Sequence, residues 1–153
     1  MDAIDAKILR EVQRNGSLST TEIGRRVGLS AMPVWRRLKR MRDEGTIRRT
    51  VTLVEPKAVG LSLTAYVMLR TNRHDAEWFE DLERFCAGED AIVEFHRLSG
   101  EIDFLLKVLL ADMDDYQRFY RRMIEAVRFM DVSTTFAFEA VKQTTEVPVG
   151  GVR

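Results

Sequence analysis

Between Ser30 and Glu44 the sequence reads SAMPVWRRLKRMRDE, and at helical spacing it divides into two faces. Val34, Leu38 and Met41 share one face. Met32, Arg36, Lys39 and Arg40 project from the other, with Arg37 at its edge. An arginine can give two hydrogen bonds to O6 and N7 of guanine, or a bidentate pair to a phosphate. Donors on the outside and an apolar side packed on a preceding helix are what a recognition helix in the major groove of DNA requires. Ser30 and the free N–H groups of the first turn can hold a phosphate. Arg25, Arg26, Arg48 and Arg49 can add backbone contacts, which raise affinity but carry little sequence information. A solvated basic helix would show a similar composition; the helix before it, the turn between them and the local charge favour DNA. Trp35 flanks the inner face, where it can cap the small core or reach sugar and phosphate.

A second stretch, SGEID from Ser99 to Asp103, sets a carboxylate at the start of an apolar strand. Gly100 lets a backbone approach closely, and a carboxylate at the rim of an apolar cleft can bind an ammonium group. A plain hairpin turn with a surface acid is the competing reading. His74 and His96 are far apart, and no Cys/His cluster suggests a metal. No phosphate-cradling glycine loop, nucleophile elbow or paired acids stand out, so no catalytic residues and no enzyme activity are expected. The single cysteine, Cys86, lies among Trp78, Phe79, Leu82 and Phe85 and reads as a packed thiol.

Charge separates these two regions. Residues 1–60 carry thirteen Lys/Arg against seven Asp/Glu, whereas residues 61–153 carry eleven against seventeen. The basic part suits a polyanion, and the acidic part needs another partner. With 45% apolar residues, three prolines and no apolar run long enough to span a bilayer, the chain reads as folded, with no membrane partner. MDAIDAKIL lacks the features of a secretory signal, so a cytoplasmic location is expected.

Three short helices position the first region. Ile4, Ile8, Leu9 and Val12 share a face over 2–14, and Asn15-Gly16 ends the helix. In LSTTEI, Ser19 and Glu22 predict a capping box, and Leu18 and Ile23 a hydrophobic staple. Gly28 ends that helix. Ser30 is expected to cap the third, with Leu29 and Val34 as a second staple and Pro33 tolerated in its first turn. Gly45 closes it. Leu18, Ile23, Val27, Leu29, Val34, Leu38 and Met41 should form the core of this helix-turn-helix domain, residues 1–45.

TIRRTVTLVEP then reads as a linker strand within 46–60. From Leu61 the periodicity predicts strands in 61–71, 91–98, 102–110 and 132–143 and helices in 75–87 and 112–127. The order βαββαβ is ferredoxin-like, which makes the chain α+β overall, with this second domain over 61–147. Both alternating sets of its strands are rich in apolar residues, so a second copy should cover the open sheet face as a homodimer. The tail, 148–153, is expected to be partly ordered at best.

The chain resembles regulators of the Lrp/AsnC family, also called feast/famine or leucine-responsive regulators. IDAKILREVQRNGSLSTTEIGRRVGLS is similar to the family's opening helices, and LSAMPVWRRLKRMRDEGTIRRTVTLVEPKAVGL to its recognition helix and linking strand. HRLSGEIDFLLKVLLADMDDYQRFY and TTFAFEAVKQTTEVPV resemble its ligand-sensing domain, G-x-x-D segment included. The resemblance implies transcription regulation through double-stranded DNA, an amino-acid effector, no other cofactor, and dimers that assemble into octamers. It places the effector between dimers, with Gly100 and Asp103 at the site and Ser99, Glu101, Met113, Thr134, Thr135 and Phe136 near it. Ala31-Met32 stands where many members carry hydroxyl residues, which bears on phosphate contacts and operator sequence. RRLKR after Trp35, together with DAEWFE, resembles a branch some of whose members control cysteine catabolism.

Overall fold

The computed structural model describes residues 1–73 and 75–150. His74 and the last three tail residues lie outside them. The chain forms two compact units: Met1–Leu53 joined by the described residues from Lys142 onward, and Val54–Val141.

The first unit has helices α1 (Ala3–Arg14), α2 (Thr20–Val27) and α3 (Ala31–Asp43). Ser19 and Glu22 form the expected capping box: the Ser19 hydroxyl accepts from the Glu22 N–H, and the Glu22 carboxylate accepts from the Ser19 N–H. The α2–α3 turn depends on two glycines. Gly28 caps α2 at φ 77°, a left-handed conformation that costs glycine least. Gly24 lies under the turn, where a Cβ would collide with the Leu29 carbonyl, and its own carbonyl accepts from the Leu29 N–H at 2.9 Å. Ile8, Leu9, Ile23, Val34, Leu38 and Met41 make the buried core. Each such side chain contributes about 1.5–3 kcal/mol when buried. Ile4, Val12, Leu18, Val27, Leu29 and Ile47 pack around them.

Two expectations for this unit change. Ser30 occupies the cap position of α3, yet its side chain makes no capping hydrogen bond. A capping hydroxyl accepts from the second or third helical N–H, and the third residue here is Pro33, which has none. The tail also belongs here. Gln13 grips Val147 from both sides, accepting from its N–H at 2.6 Å and donating to its carbonyl at 3.1 Å. Arg14 pairs with Glu146 at 3.4 Å, and Val149 packs on the helical core. A side-chain amide that satisfies both backbone groups of one residue fixes that segment as a strand partner would.

The second unit is an antiparallel sheet with strand order β2-β3-β1-β4: β1 (Leu63–Arg70), β2 (Ile92–Arg97), β3 (Phe104–Leu110) and β4 (Asp131–Ala137). Helices α4 (Ala76–Gly88) and α5 (Met113–Ala126) complete the ferredoxin-like order. Ala65, Val67 and Leu69 of β1 and Phe104, Leu106, Val108 and Leu110 of β3 bury one face under Trp78, Leu82, Phe119 and Met123. Cys86 packs at the edge of this core, and burial, helped by Glu83, pushes its thiol up to about 11. Such a thiol is a poor nucleophile.

The last strand ends at Ala137 rather than near residue 143. Its partner β1 runs out there, since Ala137 pairs with Thr64. The expected linker strand is likewise unpaired. Residues 48–55 run without a ladder into a 3₁₀ turn, Pro56–Val59. β-branched composition favours an extended backbone, but a strand also needs a neighbour for its hydrogen bonds. Val51, Leu53 and Val54 are consequently exposed.

Candidate nucleic-acid interface and effector region

The cationic residues of α3 are not equivalent. The Asp5 side chain, 1% exposed, lies under α3. Its Oδ1 accepts from Arg37 Nη1 at 2.7 Å and its Oδ2 from Arg40 Nη2 at 2.6 Å. Asp2 also accepts from Arg37, at 2.7 Å. The same two acids form a capping box on α1, with Asp2 accepting from the Ile4 and Asp5 N–H groups and Asp5 from the Asp2 N–H. Burial works against ionisation of Asp5, but the Asp2 N–H, the Arg37 hydrogen bond and the charges of Arg37 and Arg40 hold its carboxyl below the usual range. Asp2, hydrogen-bonded to Arg37 and capping the helix, is lowered to about 2. Arg37 and Arg40 thus bind α3 to α1. The signal in the sequence was the Asp-x-x-Asp spacing ahead of an apolar helix.

The remaining outer face consists of Met32, Trp35, Arg36 and Lys39, all exposed. Lys39 pairs with Asp43 one turn on at 2.6 Å, a solvated pair that binds weakly. Arg36 forms no salt bridge among the described residues. Trp35 is 49% exposed and does not cap the core. Arg25 and Arg48 are exposed as well, while Arg26 pairs with Glu11 at 2.8 Å.

In the sheet unit the candidate effector residues fall into two groups. Ser99, Gly100 and Glu101 form an exposed turn after β2, with Gly100 at φ 125°. Asp103 joins three strand ends. Its N–H donates to the Leu69 carbonyl, its carbonyl accepts from the Leu98 N–H, and its Oδ2 accepts from the Thr71 N–H at 2.8 Å. Met113 starts α5 beyond the other end of β3. Seven residues of β3 set Met113 about 20 Å from Asp103 along the strand, whereas Thr134, Thr135 and Phe136 lie on β4, level with Leu106, Lys107 and Val108 of β3 and separated from it by β1. Thr134 and Phe136 face α5, where the Tyr116 hydroxyl donates to Thr134 at 2.8 Å and the Tyr116 ring meets Phe136 edge-on at 5.0 Å. Thr135 points to the opposite sheet face, beside Tyr66 in the register. Tyr116 was legible from the sequence only as packing, because its hydroxyl needed a partner on a distant strand.

The open sheet face carries Tyr66 and Met68 from β1 and Leu105, Lys107 and Leu109 from β3. Glu94 crosses to Lys107 at 2.8 Å and receives His96 at 3.2 Å. The Lys107 hydrogen bond, then that of His96, holds the Glu94 carboxyl below its usual range.

These elements match known sequence families in order. Residues 1–42 match the AsnC-type helix-turn-helix domain and residues 64–147 the Lrp/AsnC ligand binding domain. The chain belongs to the Lrp/AsnC family. It is 37% identical over 150 residues to the DNA-binding transcriptional activator DecR of Escherichia coli K12, covering 97% of this chain and 99% of that one. An AsnC family transcriptional regulator from Agrobacterium tumefaciens superimposes with TM-score 0.93 at 41% identity, with 97% of each chain covered. A regulator from Neisseria meningitidis solved as an L-Met complex gives TM-score 0.93 at 30% identity, covering 98% of this chain and 97% of that one. As an Lrp/AsnC protein, the chain is a DNA-binding transcriptional regulator and not an enzyme. No helix among the described residues is long and apolar enough to cross a membrane.

Proposed function

We propose that this regulator reads its operator as a homodimer through the outer face of α3, in the cytoplasm, and that an amino acid sets its assembly and promoter occupancy. The observation that carries the DNA reading is the division of labour on α3. Arg37 and Arg40 are engaged by α1, while Met32, Arg36 and Lys39 face solvent at the spacing of a major-groove reader. Ser30, whose hydroxyl is unused by the helix, supports a phosphate contact, with Arg25 and Arg48 beside the backbone. Arg37 and Arg40 contribute by holding the helix at its angle and adding positive potential.

The effector reading rests on chemistry and on the neisserial relative, which was solved with L-Met. An amino acid offers an ammonium group for a carboxylate and a carboxylate for backbone N–H groups. The turn Ser99-Gly100-Glu101 with Asp103 supplies the first kind of group. Met113 lies beyond the other end of β3, and Thr134, Thr135 and Phe136 sit on β4 with β1 between them and β3, so none of them adjoins this turn within one copy. The site is therefore one that a second copy completes, so ligand binding and assembly are linked. The apolar open face of the sheet, the unpaired segment around Val51, Leu53 and Val54, and the exposed Phe138 and Val141 support a homodimer that builds further to an octamer. A thermal-shift screen of the full chain against the twenty amino acids tests the effector, with cysteine and methionine as first choices. A dose-dependent rise for one amino acid, accompanied by a change in sedimentation, is the expected result. Steeply salt-dependent binding to the promoter region of its own gene tests the DNA reading.

A further inference from the structure

Ala31, Met32 and Trp35 at the start of α3 and Thr20 at the start of α2 line an open cleft of about 260 Å³. Met32 is 57% exposed and Trp35 49%. They are three residues apart on the same helix, so their side chains are neighbours. Two large apolar side chains in water are unusual on a helix whose remaining outer residues are cationic. In helix-turn-helix proteins the first residues of the recognition helix reach the base edges. Here those residues are apolar. The major-groove edges of the bases offer donors and acceptors almost everywhere, and the one apolar group they present is the 5-methyl of thymine.

We propose that the cleft of Thr20, Ala31, Met32 and Trp35 receives a thymine 5-methyl group, so that this regulator reads thymine by apolar contact where hydrogen bonding would be expected. The inference rests on the DNA reading above. Charge complementarity supports it, since Arg36 and Lys39, exposed on the same face of α3, direct the cleft toward a polyanion. Geometry supports it as well. A methionine has three rotatable bonds and a polarisable thioether, and can close over a methyl group, while the indole supplies a rigid wall. Arg36, one turn beyond Met32, is placed to give two hydrogen bonds to a neighbouring guanine.

The test uses the full-length protein. A duplex selected from a random library is resynthesised with deoxyuridine in place of each thymidine in turn, which removes the methyl and keeps the base pairing. Wild-type protein should bind about threefold to fivefold more weakly when the methyl in the cleft is lost, the effect of one buried methyl group. The double variant Met32→Ala, Trp35→Ala should bind the thymine and uracil duplexes equally while still retaining salt-dependent binding. Both side chains are exposed, and the wild-type comparison needs no variant. Equal wild-type affinity for every uracil duplex overturns the proposal while leaving the DNA reading intact. An undiminished uracil penalty in the double variant also overturns it. Failure to retain any duplex at low salt overturns both readings.

Discussion

Arg40 reaches from α3 to Oδ2 of Asp5 on α1 at 2.6 Å, and that carboxylate is almost wholly withdrawn from water. This one bond alters the meaning of a basic recognition helix. A cation already committed to a buried acid serves the angle between two helices before it serves a nucleic acid. Arg36, one turn earlier, carries no such commitment.

Alanine substitution should therefore separate the two arginines. Arg36→Ala should weaken specific DNA binding by about 1–3 kcal/mol and leave the melting temperature unchanged. Arg40→Ala should lower the melting temperature and weaken DNA binding as a consequence. Asp5→Ala should be the most damaging, about 1–3 kcal/mol, because it removes the one acid that Arg37 and Arg40 share and the Asp5 half of the α1 capping box. Thermal melts run beside gel shifts check all three; equal melting temperatures for Arg36→Ala and Arg40→Ala would remove the distinction.

The same acids give the helical unit a pH dependence. The folded values of Asp2 and Asp5 lie below the ordinary 3.8, so the unfolded state binds more protons in acid. Their contribution is complete above the ordinary value and is lost as pH falls through the folded values, toward about 2 for Asp2. Denaturant titrations between about pH 5 and pH 2 should show stability falling with acid in the wild type and a shallower slope in Arg37→Ala.

At the proposed effector turn, Asp103 has a structural bond as well as a charge. Asp103→Ala releases the Thr71 N–H and should loosen the ends of β1 and β3. Asp103→Asn keeps an oxygen acceptor and removes the charge. It should retain the wild-type melting temperature and DNA affinity while weakening amino-acid binding at least tenfold by calorimetric titration. A wild-type titration for Asp103→Asn would show that the charge does not hold the ligand.

Two serines in equivalent cap positions should differ. Ser19→Ala should cost about 1 kcal/mol, because it breaks a complete capping box. Ser30→Ala should cost a few tenths at most, since no capping bond is lost. Should Ser30→Ala reduce DNA binding at unchanged stability, its hydroxyl serves the phosphate.

Local signals carried much of this architecture. The Ser19–Glu22 box, the glycine stops and the apolar runs of β1 and β3 are written in a few neighbouring residues, and the elements lie where those residues put them. What local pattern could not supply was the partner. TIRRTVTLVEP has the composition of a strand, but composition cannot provide a neighbouring edge. The outer face of α3 looked uniformly cationic because the acids that divide it lie more than thirty residues earlier. Asp103 and Met113 are similarly separate in one copy, at opposite ends of β3, and Thr134, Thr135 and Phe136 lie across β1 from it.

The grip of Gln13 on Val147 has a practical meaning for anyone who cuts or recombines this chain. The helical unit takes a packing residue, Val149, from the far end of the sequence, so in chain order residues 54–141 fall between its two segments rather than after it. A reader-head fragment that stops at Leu53 omits part of its own fold. A chimera that exchanges the reader between two such regulators would have to exchange two stretches, with the second beginning near Lys142.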